Sequence, residues 1–260
     1  MSNNRSSERK MMPRKIAYIV VAIVLLVGFG FGTIFGTTAN IGGWFGNGEE
    51  QNGFEQAKPQ LEQMLIQQKE HELIMDHLDG LRQESDIEKN LEAYHPDEQD
   101  AVVATVNGEE IKNKDLFEAE NFERQQLLMM GMDPQSQEAE QMMEQMRPQI
   151  LDNLIYNTIL LQKVEQEGIT VSEQEIEQEY QMFAQQFGGE EMLEQMLADE
   201  GMTRKDLENE IEDQLAMQAY LDKYLEENLD EEDLVFSEQE LRELYQLQLQ
   251  QIQQQELQVQ

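Results

Sequence analysis

Apolar residues along this chain follow three different rhythms. From Ile16 to Phe35 no charge interrupts a run of 20 residues, about 30 Å long as a helix and so matched to the hydrocarbon thickness of a bilayer. Between Ala101 and Ile111 apolar and polar positions alternate, the period of a strand. Elsewhere beyond Phe54 they recur every three to four residues, broken at glycine and proline, which predicts a series of amphipathic helices.

The alternating segment reads Ala101-Val-Val-Ala-Thr-Val-Asn-Gly-Glu-Glu-Ile111. Val103, Thr105 and Ile111 suit one face of a short ribbon, and Asn107-Gly108 is the dipeptide that most readily takes both positive-φ positions of a type I′ turn. Asn113 then offers a side-chain oxygen to cap a helix starting near Lys114. That helix runs to Met130 and stops at Gly131, with Pro134 just beyond. A second covers Gln137–Gln166, and Pro148 inside it predicts a break or kink near Met146. Its latter half holds Ile150, Leu151, Leu154, Ile155, Ile159, Leu160, Leu161 and Val164, the richest apolar stripe outside the N-terminal run, and is the expected core helix. Gly168 closes it. Ser172-Glu-Gln-Glu175 is a capping box opening a helix to about Phe187. A short helix over Glu191–Asp199 and a long one from Thr203 to about Glu227 follow, and Ser237-Glu-Gln-Glu240 opens a last, Gln-rich helix.

Before the ribbon, Leu61, Met64, Leu65, Leu73, Ile74 and Leu78 predict a polar, Gln-rich helix over about 54–81, either a stalk or a helix packed on the later domain. The chain thus divides into a basic tail (1–15), a membrane segment (16–37), an acidic linker with its stalk helix (38–100), a helical domain (101–228) and a C-terminal amphipathic helix (229–260).

The order of these signals, a Val-Asn-Gly-Glu hairpin, a Leu-Ile-rich helix, the turn Gly168-Ile-Thr-Val-Ser172, and a helix ending at Gly188-Gly189, resembles the N-terminal domain of the SurA, PrsA and PpiD type of extracytoplasmic chaperone. The likeness covers roughly residues 101–245. It implies a mainly α fold: a SurA N-terminal-like multi-helix domain opened by a small β-hairpin, here preceded by one transmembrane helix and a stalk. It further implies a protein that holds unfolded or newly exported polypeptides outside the cytoplasm. In that family the last helix usually leads into a parvulin-type prolyl isomerase. Only 15 residues follow Tyr245 and no histidine follows His95, so isomerase catalysis is not expected of this chain. A non-catalytic component of an isomerase system is one alternative. A membrane scaffold, whose stalk and C-terminal helices join one fixed partner, is another.

Charge sharpens the picture. Arg5, Arg9, Lys10, Arg14 and Lys15 precede the apolar run, and Glu49 and Glu50 soon follow it. The positive-inside rule then leaves the N-terminus in the cytoplasm and the bulk of the chain outside the cell membrane. PpiD-like proteins share this arrangement, so a retained anchor is the adopted reading; a signal peptide cleaved near Thr37-Thr38-Ala39 is its rival. Gly28, Gly32 and Gly36, four apart, would let two such helices approach closely and pair, although glycine is common in membrane helices generally. Of the formal −36, the residues past the basic tail and Glu8 carry 13 basic against 53 acidic side chains, a net of −40. Such a field repels nucleic acid. It fits either capture of basic clients or solubility in a saline habitat.

Chemistry is scarce. Cysteine is absent, which removes disulfides, thiol catalysis and a cysteine-linked lipid anchor. His71 and His77 are six apart, about 120° around a helix, so one metal ion cannot take both, and they read as solvated surface residues. Asp230-Glu-Glu-Asp233 lacks the central glycine of a calcium loop and reads as a solvated link. No cofactor is expected. Methionine is the exception: 16 residues, 11 of them between Met129 and Met217. Unbranched thioethers re-pack against varied apolar partners, which suits a promiscuous groove, and they also fill irregular cores. The candidate client-binding residues are Met129, Met130, Met132, Met142, Met143 and Met146 around the Pro134 bend, with Met182, Phe183, Phe187, Met192 and Met196 near the glycine loop at 188–189.

Overall fold

The computed structural model describes residues 50–95, 97–129, 131–199 and 201–258. The membrane segment, with Gly28, Gly32 and Gly36, lies outside the described residues. Among the described residues no helix is long and apolar enough to cross a membrane.

In chain order the elements are helix α1 (Glu50–Glu84), strand β1 (Ile87–Lys89), a 3-10 turn (Leu91–Ala93), strands β2 (Val102–Val106) and β3 (Glu109–Lys112), and helices α2 (Asn113–Met129), α3 (Gln137–Glu167), α4 (Glu173–Gln186), α5 (Glu190–Asp199) and α6 (Arg204–Asn228). A second 3-10 turn (Glu231–Leu234) leads into α7 (Glu238–Gln258). They form two compact units: residues 82–218, and residues 50–81 together with 219–258.

The first unit opens on a three-stranded antiparallel sheet of order β1-β2-β3, one strand more than the predicted hairpin. Ile87–Lys89 pairs with Val106–Ala104. A three-residue strand with two charged positions has almost no hydrophobic period, so only its backbone pairing reveals it. The turn forms as predicted, with Asn107 at φ 52° and Gly108 at φ 85°. Asn107 also ties the turn down: its side-chain oxygen accepts from the Asp86 N–H at 2.8 Å, and its amide donates to Gln162 of α3 at 2.7 Å. Strict alternation along β2 fails. A register irregularity between Val102 and Ala104 turns both Val103 and Ala104 inward beside Val106, while Thr105 is only half-buried.

Asn113 behaves differently from the expected cap. Helix α2 includes it, and the side chain of Asp115 accepts instead from the Lys112 N–H at 2.8 Å. The buried Asn113 amide donates to the carbonyls of Ala93, His95 and Glu98, fastening the segment between β1 and β2 onto the start of α2. Three carbonyls converging on one NH2 hold the side chain inward, away from the helix N-terminus.

Helix α3 continues without interruption through Pro148, where the proline predicts a break or kink. Ala139 and Met143 before it, and Ile150, Leu151, Leu154 and Ile155 after it, are all buried. Packing on both sides offsets the roughly 3 kcal/mol that an internal proline costs. Gly168 ends the helix in the left-handed region at φ 67°. Ser172 and Glu175 form the reciprocal capping box at the start of α4, and Thr203 with Asp206 makes the equivalent pair of bonds at α6.

In the second unit, Phe54, Ala57 and Leu61 of α1 are buried with Leu241 and Tyr245 of α7, flanked by Leu65, Phe236, Leu244 and Leu249. Further along α1, His77 stacks on Tyr224, with ring centroids 3.6 Å apart, and its Nε2 lies 2.7 Å from the Tyr220 hydroxyl. This corrects the reading of His77 as a solvated residue: the ring is half-buried and bracketed by two tyrosines of α6. Of the two readings of this helix, the packed one fits: α1 lies against α6 and α7 within the second unit. Asp230–Asp233 forms the polar 3-10 turn joining α6 to α7.

Candidate polypeptide-binding surface

The helix period sorts the sulfur-rich and aromatic candidates into two groups. Met143 is four residues from Ala139 and seven from Ile150, on the inner stripe of α3, and is fully buried. Phe183, three residues after the buried Tyr180 on α4, is 4 % exposed. Both belong to the core, which corrects their assignment as client contacts. Met132, Met146 and Phe187 are half-buried. Met142, Met182, Met192 and Met196 face solvent, each more than a third exposed. Met192 and Met196 are one turn apart on α5, adjoining the buried Leu193 and Leu197, so the short helix anchors one stripe and exposes the next. Met129 ends α2, but its side chain lies outside what is described, and Met130 lies outside the described residues.

Within the first unit, two further apolar residues are exposed that the sequence pattern does not single out. Phe117 and Leu128 of α2 are 37 % and 58 % exposed. They fall on one face of that helix (a spacing of eleven residues, close to three turns), about 100° around from the buried Leu116 and Leu127. Only the position of the buried stripe distinguishes them from ordinary core residues.

Two charged clusters hold this surface in place. The Glu120 carboxylate, almost wholly buried on α2, accepts from Arg147 of α3 and, at 2.8 Å, from the Tyr94 hydroxyl. The Arg147 guanidinium also lies over the Tyr94 ring at 4.2 Å. Burial and the bond to Glu120 push the Tyr94 hydroxyl well above the usual phenol range. Arg204, at the head of α6, bridges Glu177 of α4, Glu190 of α5 at 2.5 Å and Glu208 at 2.7 Å. Its guanidinium covers the Tyr180 ring at 4.0 Å. One cation thus pins the starts of α5 and α6 to α4. The bond from Arg204 holds Glu208 below the ordinary carboxylate value, whereas burial pushes Glu179 of α4 above it.

Among the described residues no group of three or more histidine or carboxylate side chains is arranged to hold a metal ion. What the surface offers is exposed thioethers and one aromatic ring beside the buried stripes of their helices. The unit is a mainly helical domain headed by a three-stranded sheet, with these residues outward. The chain belongs to the family of SurA-like N-terminal domains, whose family model matches residues 88–221. The match begins within β1, earlier than the roughly 101–245 of the resemblance, and ends within α6, leaving α7 outside it. Searches of the curated proteins and of the solved structures found no match.

Proposed function

We propose that this chain is a membrane-anchored extracytoplasmic chaperone, which binds unfolded or newly exported polypeptides without chemically altering them. The observation that carries the reading is the set Met142, Met182, Met192 and Met196, exposed on a SurA-like N-terminal domain. Thioether side chains conform to apolar segments of many shapes at small cost in strain. Each contact is weak, so clients bind at several points and leave by stepwise release rather than by nucleotide hydrolysis. Residues 16–37 hold the module at the membrane, where emerging chains are concentrated. The acidic surface keeps a loaded complex soluble.

The test uses the full chain in nanodiscs and follows light scattering from a denatured reporter protein. The wild type is expected to suppress aggregation at near-stoichiometric ratios. The variant M142Q/M182Q/M192Q/M196Q should lose most of that effect with little change in helicity. An inactive wild type, or a fully active quadruple variant, overturns the reading. Protease added outside intact cells should remove the bulk of the chain and spare the first residues; complete protection would refute the topology.

A further inference from the structure

Helices α4 and α5 carry three of the exposed methionines and no positive charge. Between Lys163 and Arg204 the sequence holds eleven acidic residues and no lysine, arginine or histidine. Arg204, the next cation along the chain, is committed to Glu177, Glu190 and Glu208. On α5, Met192 and Met196 are 53 % and 43 % exposed, with the exposed Glu191 beside the first and Asp199 one turn beyond the second. On α4, Met182 is 46 % exposed and lies one turn from Glu179, whose half-buried carboxyl already feels desolvation.

A chain settling over these thioethers draws the neighbouring carboxylates out of water. An apolar or acidic partner leaves them without compensation, and burying an unpaired charge is costly. A partner with cations between its apolar residues meets each carboxylate with an opposite charge and keeps the apolar contact. We propose, resting on the chaperone reading above, that the α4–α5 face takes polypeptide segments in which apolar residues are interleaved with lysine or arginine, and rejects acidic segments of equal hydrophobicity. The thioethers supply adhesion without shape selectivity, and the carboxylate rim supplies the choice among clients. The rim also accelerates encounter with basic segments at low salt.

Three unstructured fluorescent peptides test this, sharing one Leu/Phe pattern and bearing Lys, Gln or Glu at the intervening positions. Binding to the full chain is measured in nanodiscs of zwitterionic lipid, which do not themselves attract the lysine peptide. At about 50 mM salt the Lys peptide should bind about tenfold tighter than the Gln peptide, and the Glu peptide more weakly than either. The advantage should shrink as salt screens the charges. In E179Q/E191Q/D199N the preference should fall to about twofold, with the Gln peptide unaffected. E226Q/E227Q/E232Q, which removes as many charges outside α4 and α5, should keep it. Equal binding of the Lys and Gln peptides to the wild type, or an equal loss in both charge variants, overturns the proposal and leaves the chaperone reading standing. If none of the three peptides binds, both fall.

Discussion

Glu120 and Arg147 form a buried ion pair between α2 and α3, and the carboxylate involved is only 1 % exposed. Its other oxygen accepts from Tyr94, so three separate segments meet at one carboxyl group. Arg124, 4.0 Å away, adds a second positive charge. Replacing Arg147 with Met would leave the carboxylate with the Tyr94 hydroxyl and the more distant Arg124 only, and breaking a buried pair from one side costs about 3–5 kcal/mol. Urea unfolding of R147M should show a loss of that order. The double variant E120M/R147M should recover most of it, because an apolar pair of similar volume often replaces a buried ion pair without penalty. A loss below about 1 kcal/mol in R147M would mean that water reaches the carboxylate.

Gly53 of α1 lies against the Tyr245 side chain of α7. A Cβ built on Gly53 would stand 2.4 Å from the Tyr245 hydroxyl oxygen, on a ring that meets Phe54 edge-on with centroids 5.6 Å apart. Alanine is the better helix former by close to 1 kcal/mol, yet G53A should destabilise this unit by about 1–3 kcal/mol, because the rigid ring must move as a whole. G53A/Y245F, lacking the clashing oxygen, should be more stable than G53A. Hydrogen exchange in α7 is the readout, and slower exchange in G53A than in the wild type would refute the contact.

Asp152 and Glu179 should respond to acid in opposite ways. Burial disfavours the Asp152 charge, but hydrogen bonds from Lys89 and Arg82 outweigh it and leave the carboxyl below its ordinary value. Its contribution to stability is therefore present above about pH 4 and lost as pH falls through the depressed folded-state value. Burial raises Glu179, so its ionised form opposes folding at neutral pH and that cost vanishes as the carboxyl protonates. D152N should destabilise the protein at pH 7 and converge on the wild type as pH falls through the depressed Asp152 value. E179Q should stabilise it at pH 7 and have no effect near pH 3.5. Urea midpoints of the three proteins across that range check both signs, and parallel curves would refute the assignment.

Local chemistry wrote much of the architecture legibly. The Asn107-Gly108 turn, the left-handed glycine after α3, the capping pair Ser172–Glu175 and the reciprocal bonds of Thr203 with Asp206 each involve residues within four positions of one another. The same bonds form whichever neighbours the element later meets, so the elements and the family likeness are readable from the chain alone. Strand β1, the inward turn of Asn113 and the bracketing of His77 by Tyr220 and Tyr224 were not readable, because each depends on partners 15 or more residues away. Composition could show that methionine was abundant near the two bends. Which thioethers reach solvent was decided only by tertiary packing: Met143 and Met142 are adjacent in sequence, but one helix face of α3 meets its neighbours and the next does not. Side-chain identity sets what a residue can grip, and the direction of its helix face sets whether it has the opportunity.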